Sequence, residues 1–162
     1  MQNEKLQEFY SIIQPALEEE DFLKLKEMGH HGITRFEHSM RVAKYTYYIT
    51  KLCHMNYEKA TFGAILHDFF TTEVKKKNVL FKLLLHPGIA LENSRKYFDL
   101  SDIEEDVILS HMFPISFHPP KYLESWIVDI VDDVVAIYEW LFSLRREIVT
   151  VSTILIQFIQ MR

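Results

Sequence analysis

Helix-breaking residues are scarce in this chain, and apolar residues return every three to four positions along most of it. Four glycines and five prolines are spread over 162 residues. A repeat near 3.6 marks amphipathic helices, whereas strand side chains alternate with a period of two. The chain is therefore expected to be all-α, with helices over 4–28 (interrupted near Pro15), 37–53, 57–70, 87–97, 101–112, 121–142 and 145–160. Local chemistry marks several ends. Asn56 can cap the third helix, Ser101 with Glu104 forms a capping-box pattern, and Pro87 suits a first helical turn, where its missing N–H costs nothing. Gly29 and Gly32 bracket His30-His31 as a turn. No repeat or linker-like segment divides the sequence, and 48% apolar content suffices for one core, so residues 1–162 are expected to form a single domain.

Composition removes several classes of function. Cys53 is the only cysteine, which rules out an internal disulfide, a zinc finger and a CxxC redox motif. A cytoplasmic location is expected, because Met1-Gln2-Asn3-Glu4-Lys5 has neither the basic start nor the apolar run of a signal peptide. No uncharged apolar stretch reaches the ~20 residues needed to span a bilayer. Residues 148–161 come closest, but they contain Thr150, Ser152, Thr153, Gln157 and Gln160. That stretch suits a buried helix or a contact between subunits. No membrane partner is expected, and a homodimer through the C-terminal helix is open. A formal charge of −5 with scattered basic residues argues against binding a nucleic-acid duplex. The one basic run is Lys75-Lys76-Lys77.

Eight histidines are the compositional outlier, and their positions carry the rest of the reading. In the second predicted helix, His38, Val42, Tyr45, Ile49 and Leu52 follow at spacings of four, three, four and three, so His38 extends an apolar stripe. In the third, Ala60, Gly63, Ala64 and His67 share a side small enough to admit another helix closely. Ile103, Val107 and His111 form a stripe on the fifth, and His86 directly precedes Pro87. Asp68 follows His67. Neighbouring helical residues diverge by roughly 100°, so this pair serves one ion only if the ion lies between their directions. The two oxygens of Asp68 can, however, reach two ions. Asp129, Asp132 and Asp133 interrupt the apolar run 126–135, where unpaired burial would be very costly. Metal coordination or an exposed helical face would remove that cost, and spacing leaves open which aspartate turns inward.

The order of these residues resembles the HD superfamily of metal-dependent phosphohydrolases. The matching elements are His38 in Phe36-Glu37-His38-Ser39-Met40-Arg41-Val42-Ala43, the pair in Ala64-Ile65-Leu66-His67-Asp68, and Asp132 near the end of the domain. The resemblance spans about 31–139, roughly two-thirds of the chain. It implies a compact bundle of five or more helices around a metal centre, with flanking N- and C-terminal helices. His86, in His86-Pro87-Gly88, and His111, in Ser110-His111-Met112-Phe113-Pro114, match the extra histidines of members that hold two metals. By that resemblance His38, His67, Asp68 and Asp132 hold one divalent ion, while Asp68, His86 and His111 hold a second. Mixed histidine and carboxylate ligation suits manganese, iron, cobalt, nickel or zinc. The implied reaction is hydrolysis of a phosphomonoester or phosphodiester, nucleotide-like substrates included, by a hydroxide bridging the ions. Asp68 would act through both ions, and Arg35 would hold oxygens of the small phosphorylated substrate.

The sequence departs from the family pattern in places. Many members carry Gly-Lys after the His-Asp pair, where this chain has Phe69-Phe70-Thr71, and Asp133 stands where others have a lysine. Phosphate neutralisation then falls to Arg35 or the lysine run. The Gly-Tyr-Pro signature of the cyclic-di-GMP branch is absent. Two other readings share the ligand set. One is an HD-type mixed-valence di-iron oxygenase, disfavoured because Ile115 stands where a substrate-clamping lysine would be wanted. The other is a non-catalytic, metal-stabilised ligand-sensing module. Phe69, Phe70, Met112, Phe113 and Phe117 are the expected pocket wall. His31 is a weaker contact residue, Asp129 and Asp133 are expected at an exposed edge or behind the ligands, and His30, His54 and His118 are expected at the surface.

Overall fold

Two helix C-termini and one long helix position everything that follows. The computed structural model describes residues 2–30, 33–71 and 79–160. Helix α1 (Gln2–Glu18) is followed by a single turn, α2 (Glu20–Leu23), and a 3-10 turn over Lys24–Glu27. Two short strands, β1 (Gly29–His30) and β2 (Ile33–Thr34), pair antiparallel where the sequence predicts a turn. Then come α3 (Arg35–Leu52), α4 (Tyr57–Leu66), α5 (Val79–Tyr97), α6 (Asp102–Ser110) and α7 (Leu123–Gln160). The all-α class expected from the periodicity is what the chain adopts. No helix among the described residues is long and apolar enough to cross a membrane.

Helix α3 packs along α4, α4 along α6, and α7 lies across α3 and α6. The core runs from Phe9 and Ile13 of α1 through Tyr47, Leu66 and Val107 to Val128 of α7. Gly63 allows the closest approach. A Cβ there would meet Val107 Cβ at 2.9 Å and the Glu104 backbone at 3.3 Å, so the small-residue side of α4 admits α6, as its spacing predicts. Ser101 and Glu104 close the predicted capping box at the start of α6, and Asn56 accepts from the Lys59 amide at the start of α4. At the head of α7, the buried Asp106 carboxylate accepts from the Lys121 amide at 2.9 Å and the Ser125 hydroxyl at 2.7 Å.

Several expectations are corrected. Helix α3 begins two residues before the predicted 37, because Thr34 caps it in a second capping box with Glu37. Helix α1 continues through Pro15 to Glu18, without the one backbone hydrogen bond that the proline nitrogen cannot donate. Helix α5 begins well before 87, so Pro87 is inside it and not at its first turn. The two helices predicted over 121–142 and 145–160 are one, since nothing between them breaks a helix. On α3, His38 and Val42 turn inward, but Tyr45, Ile49 and Leu52 are exposed. The buried side of α3 instead runs through Ser39, Ala43, Thr46 and Thr50. Small side chains let α4 lie close, and the Thr50 hydroxyl donates back to the Thr46 carbonyl at 2.7 Å, so it needs no other partner.

Candidate metal centre

The imidazoles of His67 and His111 are delivered by the same local device. Each residue is the C-cap of its helix, His67 on α4 and His111 on α6. The last carbonyls of a helix lack backbone partners. In each case the ring Nδ1 donates to the carbonyl three residues back, Ala64 at 2.7 Å and Ile108 at 2.7 Å. The proton is thereby fixed on Nδ1, and the Nε2 lone pair points away from the helix end. The negative end of each helix dipole also favours a cation close by. This explains why α4 and α6 stop short of the predicted 70 and 112.

The other donors arrive from three more helices. His86, on α5, brings its Nε2 to 2.9 Å from His111 Nε2, two imidazole nitrogens converging on one point. His38, in the first turn of α3, places Nε2 at 2.8 Å from Asp132 Oδ1. Asp132 Oδ1 is also 3.6 Å from His67 Nε2. Asp68 Oδ1 lies 3.5 Å from His86 Nε2 and 3.9 Å from His111 Nε2, while its Oδ2 lies 3.7 Å from Arg35 Nε. All six expected ligands are buried. Their donor atoms form three overlapping groups: His38, His67 and Asp68; His67, His111 and Asp132; and Asp68, His86 and His111. Within each group these atoms lie within 4.8 Å of one another.

Arg35 sits beside this cluster, not out on the surface. Its guanidinium lies 3.7 Å over the Phe70 ring, and Nη1 donates to the Phe70 carbonyl at 2.6 Å. Of the aromatic residues expected around a pocket, Phe70 flanks the cluster, its ring 5.3 Å from that of His86. Phe69 is instead core, edge-on to Phe22, because the α4 end turns its ring the other way. Phe113 packs on Trp126, and Phe117 is exposed. His31 and the lysine run 75–77 lie outside the described residues.

Sequence reasoning missed Glu139. It is buried on α7, two turns beyond Asp132 on the same side, and its Oε2 lies 2.9 Å from His38 Nδ1. The Arg41 guanidinium holds its other oxygen. A carboxylate behind a histidine fixes the tautomer and ring orientation of a metal-ligating imidazole. The seven-residue spacing from Asp132 was the available signal. Asp129 is also buried, not at an edge, and accepts from the Phe113 amide at 3.2 Å, whereas Asp133 is exposed.

Electrostatics follow from this packing. Burial opposes charge on His38, but the hydrogen bonds it donates to Asp132 and Glu139 outweigh it and push the imidazole up to about 10. Burial likewise opposes charge on His67, and Asp132 beside it again prevails, raising it. Burial, then the neighbouring His67 and His86, pushes His111 down to about 3. Burial alone would raise Asp68, yet His67, His86 and His111 around it hold it below the usual carboxylate range, and Asp132 is held well below by His67 and His38. Burial, then repulsion from Asp133, lifts Asp129 to about 7.

The donor set fits a metal. His67 Nε2 is buried with no hydrogen-bond partner, an arrangement that is costly unless something else binds the lone pair. Asp68 and Asp132 are buried as carboxylates among the imidazoles of His38, His67, His86 and His111, and a cation bound between these donors would offset part of the cost of that burial. Imidazole nitrogen with carboxylate oxygen is the chemistry of divalent transition-metal sites.

Comparison with known families agrees with this reading. The HD-domain family matches residues 35–137, from the capped start of α3 to the middle of α7, and so contains every residue of the cluster. The chain belongs to the HD-domain family, whose members bind divalent metals and are generally hydrolases. No curated protein and no solved structure gives a significant match.

Proposed function

We propose that the protein is a metal-dependent phosphohydrolase that cleaves a small phosphomonoester or phosphodiester at a centre holding two divalent ions. The observation that carries this reading is the convergence of His38, His67, Asp68, His86, His111 and Asp132 from five helix segments into overlapping donor groups. His38, His67, Asp68 and Asp132 would hold one ion, and Asp68, His86 and His111 the other. Divalent ions bound there supply Lewis acidity toward phosphoryl oxygens and make water acidic enough to furnish a nucleophile near neutral pH. Asp68 is shared between the groups, so its loss should affect both positions.

The remaining steps belong to the chain itself. Arg35 would bind a non-reacting phosphoryl oxygen through its guanidinium, which lies over the Phe70 ring beside Asp68. Its contact with Asp68 keeps that group pointed at the cluster. Glu139, held by Arg41, keeps His38 facing Asp132. The phosphorylated substrate class, the pair of ions and their identity among manganese, iron, cobalt, nickel and zinc are parts of this proposal.

Release of p-nitrophenol from its phosphate monoester and diester by protein loaded with each metal tests it. We expect turnover with at least one metal, loss of turnover on chelation and in Asp68→Ala, and a raised KM in Arg35→Gln. No turnover with any of the five metals would sink the reading. Oxygen consumption by the iron form without phosphate release would move the protein to the oxygenase class.

A further inference from the structure

The buried face of α7 stops partway along the helix. Val128, Val131 and Val135 are buried against the bundle, and Glu139 is the last buried residue among those whose side chains are described. The helix nevertheless continues to Gln160, ~30 Å further at ~1.5 Å per residue. A second apolar series runs along the opposite face. Ile130, Val134, Ile137, Leu141 and Leu144 follow at spacings of four, three, four and three, and each is between 39% and 60% exposed. In the sequence the same alternation continues unbroken through Ile148, Val151, Leu155 and Phe158. Sustained over four heptads, this spacing matches the a/d seam of a coiled coil.

The seam is flanked by a groove. Tyr45 and Ile49 of α3, left exposed on that side, face Ile130, Val134 and Tyr138 of α7, with Arg41 at one edge. A groove between two helices accepts one further helix, and it does not accept another groove. The same chain carries a suitable helix in the projecting half of α7.

We propose that α7 forms an antiparallel two-stranded coiled coil with α7 of a second copy of this chain, each projecting half lying in the other's groove. The two-fold axis would fall between Leu141 and Leu144, so that an a position of one helix meets a d position of the other throughout, Val134 opposite Val151 and Ile137 opposite Ile148. One pairing covers both grooves and both projecting halves, which a single foreign helix could not do. The area is adequate. Nine exposed apolar side chains on this face, counting Tyr45, Ile49, Tyr138 and Trp140 with the five seam residues, are each about half exposed. At ~200 Å² for a large side chain they offer roughly 900 Å², against ~800 Å² per partner in a stable interface.

Sedimentation equilibrium on the full chain, with disulfide trapping in a Cys53→Ser background, tests this. The expected result is a species of twice the chain mass that becomes a monomer in Leu141→Glu, with helix content by circular dichroism otherwise retained. Mixing separate Val134→Cys and Val151→Cys proteins should give the mixed disulfide, with little cross-linking of either alone. A monomer throughout the micromolar range, or a dimer untouched by Leu141→Glu, would overturn the pairing. Efficient cross-linking of Val134→Cys to itself would overturn its antiparallel sense.

Discussion

His38 is held from both sides, by Asp132 at Nε2 and by Glu139 at Nδ1. Removing the charge behind a ligating imidazole commonly costs on the order of 10–100-fold in metal affinity. Glu139→Gln should therefore weaken metal binding by about tenfold or more on that principle, read by competitive titration with a chromogenic chelator, while leaving the helical signal near wild type. Unchanged affinity would mean that Glu139 serves only to pair Arg41. Helical stripes single out His38, His67 and His111 in the sequence, while Asp68, His86 and Asp132 enter as ligands through the resemblance to the HD pattern. Neither finds Glu139, which sits among Tyr138, Trp140 and Leu141 and looks like one acid on a wet face. Burial of Glu139 depends on α3 lying across α7, which no local pattern contains. Asp132 was left among three aspartates for the same reason. At 100° per residue, only the neighbouring helices decide which carboxylate turns inward.

Helix α4 meets α6 over Gly63. Alanine there gains up to ~1 kcal/mol of helix propensity but forces a methyl against Val107 at 2.9 Å, and overpacking of this kind costs about 1–3 kcal/mol. Gly63→Ala should lower the thermal midpoint, and the loss should shrink in a Val107→Ala background, which opens the space. Equal losses in both backgrounds would contradict the close approach. The capping boxes at Thr34 and Ser101 are likewise separable. Thr34→Ala should cost about 1 kcal/mol in chemical denaturation, without altering the ends of α4 and α6 that carry His67 and His111. The elements were legible where chemistry is local, as at Ser101, Asn56 and Gly63. They were misread where packing decides. The α3 stripe was taken through the large apolar residues Tyr45, Ile49 and Leu52, yet α4 lies against the small and hydroxyl-bearing ones. The sequence reading divides α7 into two helices, although the apolar series on its outer face runs unbroken through Leu141 and Leu144.

The cluster draws on helices from α3 to α7, so the assembled bundle is what brings the donors together, and its outer fastenings matter. Glu8 of α1 accepts from Lys51 and, at 2.6 Å and 2.7 Å, from the hydroxyls of Tyr47 and Tyr57, tying α1 to α3 and α4. These contacts, Lys51 foremost, hold the Glu8 carboxyl down at about 2. A carboxyl whose folded value is lower than its unfolded value stabilises the fold above the unfolded value, and that contribution is lost as pH falls toward the folded one. Stability should therefore decline between about pH 4.5 and pH 2 in wild type, and less steeply in Glu8→Gln, as read by urea unfolding at several pH values. Parallel acid limbs would contradict this role. For the centre itself, the decisive quantity is metal per folded chain. Elemental analysis of protein purified without chelator and reconstituted with manganese, zinc or iron should give close to two ions per chain, with both lost in Asp68→Ala. One ion per chain in wild type would reduce His86 and His111 to neighbours of a single site, and no bound metal after reconstitution would contradict the account of the cluster.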